Sequence, residues 1–143
     1  MENRIELHKR FWKGEGPSLI LIPPFKAELY DVNDYPARFN NPKLMWESEI
    51  RRARAVIGRP TDGIPTVRPN LGVITIPAMA GQTFKTPPDS MPWPGDTLTP
   101  DKIRTISQSE MKCSEVFRLA ADFYTIHLKS GESDIYPYLP DTQ

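Results

Sequence analysis

Two short clusters carry the residue types that bind and process small polar substrates. Arg68 and Asn70 follow the apolar run Ile64-Pro65-Thr66-Val67. Asp141 and Gln143 follow Ile135-Tyr136-Pro137-Tyr138-Leu139-Pro140. In α/β proteins, binding and catalytic groups collect just past the C-terminal ends of strands. An arginine there offers a rigid two-pronged fork for an anionic group, and an asparagine a neutral donor and acceptor. Asp141 suits a general acid/base or a substrate anchor, with Gln143 as a further substrate contact. Structural roles fit the same residues: Arg68 and Asn70 can bond the loop between Pro65 and Pro69, and Asp141-Thr142 can cap a turn. Trp93, held between Pro92 and Pro94, is a stiffly presented ring, suited either to a lid over substrate or to plugging a surface gap.

Other chemistry finds little footing. His8, Cys113 and His127 lack metal-ligand spacing, so no metal site is expected in this chain. No nucleophile elbow and no phosphate-cradling glycine loop occur. The 18 basic and 18 acidic residues balance. That balance gives no field for nucleic acid, and the cluster Arg51-Arg52 with Arg54 reads as the solvated face of a helix. No apolar run approaches the ~20 residues that span a bilayer, and no h-region follows Met1-Glu2-Asn3-Arg4. One cysteine excludes an internal disulfide framework and points to a reducing cytoplasm.

The elements that would position these residues alternate. A short helix is predicted over 2–13, ending at Gly14, with Ile5, His8, Phe11 and Trp12 on one side. Ser18-Leu19-Ile20-Leu21-Ile22 is continuously apolar, as in a strand covered on both faces, and Pro23-Pro24 ends it. Residues 26–40 are turn-rich. Asn41 and Pro42 then start the clearest helix, which Gly58 ends, with the stripe Trp46, Ile50, Ala53, Ile57 and an outer Glu47–Arg51 pair. Ile64–Val67 is a strand, and Leu71–Ile76 fits either a short strand or a buried turn or helix. Proline is abundant, 16 of 143 residues or about 11% against a usual ~5%, and Pro87, Pro88, Pro92 and Pro94 make 82–99 a long loop. Thr99-Pro100 opens a helical stretch reaching Ser130, with a break near Ser107. Its buried side is Cys113, Val116, Phe117, Ala120, Tyr124 and Leu128. A final strand begins at Ile135. Alternating strands and helices predict parallel pairing.

Several phrases together resemble the N-terminal part of the uroporphyrinogen decarboxylase superfamily. They are Phe11-Trp12-Lys13-Gly14-Glu15, the run Asp62-Gly63-Ile64-Pro65-Thr66-Val67-Arg68-Pro69-Asn70-Leu71-Gly72, the Trp93 loop, Leu98-Thr99-Pro100-Asp101-Lys102-Ile103, and Tyr138-Leu139-Pro140-Asp141-Thr142-Gln143. The resemblance implies an α/β chain that forms the N-terminal part of a (β/α)₈ TIM barrel. Residues 1–143 would be a single partial domain of about three strand–helix units, since such barrels take ~250 residues. It implies cytoplasmic porphyrinogen decarboxylases, or methyltransferases that move methyl groups between corrinoid proteins and thiols. The family's decarboxylases carry an Arg-Gln-x-Gly-Arg loop and an acid after the second strand. The 23–38 stretch lacks the first, and Asn70 is neutral. Methyl transfer is therefore the first expectation and decarboxylation the second, with a tetrapyrrole, a corrinoid-bound methyl group or a thiol as substrate. No cofactor is expected within this chain; zinc and a corrinoid partner would serve the complete enzyme.

A strand running into polar groups at the end of the chain suggests a fragment, inactive alone. The alternative is a non-catalytic α/β interaction module. An unclosed barrel slice leaves open sheet edges and an apolar inner face, which predicts self-association.

Overall fold

The structure, a computed structural model, describes residues 3–22, 35–88 and 90–140. Local capping chemistry sets most helix boundaries. The Asn3 side chain accepts from the Ile5 amide and opens α1 (Arg4–Trp12). After α2 (Tyr35–Phe39), Asn41 accepts from the amides of Lys43 and Leu44, and Pro42 takes the first turn of α3 (Pro42–Ile57). The carbonyls at the far end of α3 are gathered by Arg4. Its guanidinium donates to Val56 at 3.2 Å, Arg59 at 3.1 Å and Gly63 at 3.0 Å, a cation placed where the helix end is negative.

β1 (Thr66–Val67) follows. The stretch 71–76, open between strand and helix from sequence, forms a 3₁₀ turn at Gly72–Ile74 leading into α4 (Thr75–Met79). The proline-rich stretch is not one loop. β2 (Phe84–Lys85) pairs antiparallel with β3 (Trp93–Pro94), and proline is tolerated because these are short, edge-like strands. A Cβ on Gly95 would lie 2.9 Å from the Thr83 carbonyl oxygen, so the ladder closes only on glycine.

The helical stretch from Thr99 breaks twice. α5 (Pro100–Thr105) is capped by Thr99, and α6 (Gln108–Cys113) by a reciprocal box between Ser107 and Glu110. Ser114 then caps α7 (Glu115–Lys129), its Oγ accepting from the Phe117 amide at 3.1 Å. The expected break at Ser107 is present; the one at Ser114 was not foreseen, and beside it Cys113 is exposed rather than buried. The inward face of α7 is Val116, Phe123 and His127, while Leu128 points out at 77% exposure.

β4 (Tyr136–Pro137) pairs parallel with β1, Thr66 opposite Tyr136 and Val67 opposite Pro137, as the alternation predicted. α3 and α7 pack together beside this ribbon. Met45, Ile50, Ala53, Val67, Leu71, Ile74, Val116, Phe123 and Ile135 form the core with Phe39 and Ala78. His127 joins three elements within it. The indole N–H of Trp46 donates to Nδ1 at 3.4 Å, so Nε2 carries the ring proton and donates to the Ile135 carbonyl at 3.0 Å.

The apolar run 18–22 is not a strand. Leu19, Leu21 and Ile22 are exposed, and Leu21 is tied by its backbone alone, to Asp62 and Thr61. A continuous apolar run marks a strand only where layers cover both of its faces, and among the described residues no sheet forms around this segment. Among the described residues, no helix is long and apolar enough to cross a membrane.

Candidate functional site

Parallel pairing sends the exits of β1 and β4 out at the same end of the ribbon. The Tyr138 amide donates to the Val67 carbonyl at 2.8 Å. Arg68 and Asn70 therefore leave alongside Tyr138 and Pro140, the segment leading to Asp141. Asp141 and Gln143 themselves lie outside the described residues. Trp93 sits on β3 at 58% exposure. Its neighbour Pro92, on the alternate face, turns toward Asn70 and Glu49.

Behind Asn70 stands an acid that the sequence did not single out. Glu49, on α3 and 4% exposed, lies in the apolar stripe with Met45 and Ala53. Its Oε2 accepts from Arg52 Nη1 at 2.6 Å and its Oε1 from Asn70 Nδ2 at 3.0 Å. Arg52 thus turns inward rather than joining a solvated cationic face, and the ion pair described on α3 is Glu49–Arg52, not Glu47–Arg51. Burial pushes the Glu49 carboxyl above its ordinary pKa. Arg52, the Asn70 hydrogen bond, Arg68 and Arg38 oppose that rise, in decreasing order. The Arg38 guanidinium donates to Ser48 at 2.9 Å. Arg38, Phe39, Met45, Glu49, Asn70 and Pro92 enclose a cavity of about 10 Å³, enough for one water and no ligand. This cluster supports the mouth from beneath.

Tyr124 closes the other side. Its hydroxyl donates to the Tyr138 carbonyl at 2.5 Å, tying the exit of β4 to α7. Burial raises its pKa to about 12, with Arg68 as the opposing influence. Arg68 thus lies within electrostatic reach of both Glu49 and Tyr124. A phenol whose folded pKa exceeds its unfolded value gives stability that is complete below pH ~10 and lost as pH rises through the folded value. Tyr124→Phe is expected to be less stable than wild type by about 1 kcal/mol at neutral pH. That gap should narrow between pH ~10 and ~12, as measured by urea denaturation across the range.

Arg68 and Asn70 are thus brought together with Glu49, Arg38 and Tyr124, and Trp93 is not. The only sequence signal for Glu49 was an acid interrupting an apolar stripe. The described donors do not fit zinc. His8 Nε2 bonds the Asp62 carbonyl at 2.7 Å, both ring nitrogens of His127 are engaged, and Cys113 is on α6. Among the described residues, no three His, Cys, Asp or Glu side chains lie together. The chain matches no family model, no curated protein and no solved structure.

Proposed function

We propose that the mouth at the C-terminal ends of β1 and β4 binds the anionic group of a small substrate. The chain would contribute opening strand–helix units of a cytoplasmic, uroporphyrinogen decarboxylase-like α/β barrel. The observation carrying this proposal is the parallel register that places the exits of the two strands side by side, with Arg68 and Asn70 on one of them. The proposed reaction is methyl transfer involving a corrinoid protein or a thiol, because Asn70 is neutral. Zinc ligands would have to come from outside the described residues. Porphyrinogen decarboxylation is the second reading, favoured by the Glu49 carboxylate 3.0 Å behind Asn70.

Fluorescence titration of the chain with methylcobalamin and, separately, with coproporphyrin separates these. Methyl transfer expects saturable methylcobalamin binding that Arg68→Ala weakens about tenfold or more, the scale of a charge-assisted hydrogen bond. Preferential binding of coproporphyrin carries the second reading. A failure of both to bind would falsify the site.

A further inference from the structure

We propose that Glu49 is a positioning residue that decides which end of the Asn70 amide the mouth presents, and so whether the mouth selects ligands that donate or accept a hydrogen bond. This rests on the proposed function of the mouth.

The geometry fixes the present orientation. An ionised carboxylate only accepts, so the Asn70 atom 3.0 Å from Glu49 Oε1 must be the nitrogen. With Nδ2 committed inward, Oδ1 is left as an acceptor. Asn70 is half-buried, and no described residue bonds that oxygen. Arg68 lies within electrostatic reach of the Glu49 carboxyl behind Asn70, so the mouth carries a cation that favours anions. An acceptor next to a cation suits a carboxylate ligand carrying an adjacent N–H or O–H.

Arg52 makes the orientation switchable. Its Nη1 holds Glu49 Oε2 at 2.6 Å. In Glu49→Gln, Arg52 would keep the amide oxygen, leaving Nε2–H to face Asn70. Two amide nitrogens cannot bond each other, so Asn70 must turn its Oδ1 inward and present Nδ2–H outward. Protonation of Glu49 permits the same turn. The charged or titratable groups acting on that carboxyl are Arg52 on its own helix, Arg38 from α2, and Arg68 after β1. Burial raises the pKa of this carboxyl against the pull of those three cations.

Two isosteric probes read the orientation. Pyrrole-2-carboxylate offers an N–H where furan-2-carboxylate offers only a ring oxygen. At pH ~7.5 wild type should prefer the pyrrole by about tenfold, the scale of one hydrogen bond made against one left unmade. Glu49→Gln should abolish or reverse that preference while both probes still bind, whereas a merely structural role would weaken both equally and leave the ratio unchanged. An unchanged ratio overturns the proposal. NMR of unliganded wild type gives an independent check, since the Asn70 side-chain amide signals should titrate together with the Glu49 carboxyl carbon. If neither probe binds, the mouth reading falls, and the positioning role is judged by that titration alone. Amide signals that ignore Glu49 sink it.

Discussion

Phe123→Ala is expected to destabilise the protein by about 3–5 kcal/mol, the range for emptying a fully buried aromatic site. Phe123 is 0% exposed and lies where α7 meets the rest of the core. Its ring also meets Tyr124 edge-on, with centroids 5.7 Å apart. A loss of that size is a large part of the ~5–15 kcal/mol that holds a typical domain together, so the variant should be largely unfolded at 37 °C. Denaturant titration followed by circular dichroism tests this, with Leu128→Ala as the control. Leu128 lies on the outer side of the same helix, so its change should stay within about 0.5 kcal/mol. Equal effects at the two positions would mean that the face of α7 has been assigned wrongly.

His127→Leu should be the next most damaging change, at about 2–4 kcal/mol. Leucine fills much of the volume but leaves the Trp46 N–H and the Ile135 carbonyl without their partner. Each buried group stranded in this way costs about 1–3 kcal/mol. The loss should be felt at the ribbon, because Ile135 leads directly into β4. Hydrogen exchange at the Tyr136 amide, which donates to the Pro65 carbonyl at 2.9 Å, should accelerate more than exchange in the middle of α3. Uniform acceleration throughout would instead indicate a general loss of stability with no special link between His127 and β4.

What could be read from sequence was whatever is settled within a few residues. The caps at Asn41 and Thr99 act on amides two or three positions away, so the starts of α3 and α5 were legible, and the break expected near Ser107 falls where a capping box opens α6. Parallel pairing of β1 and β4 followed from the alternation of elements. The run 18–22 failed because burial depends on what packs over a segment, and its apolar composition cannot supply that cover. The β2–β3 hairpin was hidden by the prolines around it. Within the candidate site, Arg68 and Asn70 were marked by their place after a strand. Glu49 was not, because its role exists only once α3 lies against the exit of β1. Asp141 and Gln143 fall outside the described residues, so their part rests on sequence.

The pairing of Thr66 with Tyr136 has a bearing on biosynthesis. A ribosome delivers β1 long before its partner, and α3 emerges earlier still. Until α7 and β4 leave the exit tunnel, the part of α3 that packs on α7 has no permanent cover, and β1 lacks its parallel neighbour. Contacts between segments so far apart in the chain form slowly, and nascent chains in that interval are open to wrong association. Slower translation or a larger chaperone supply should therefore raise the yield of soluble protein.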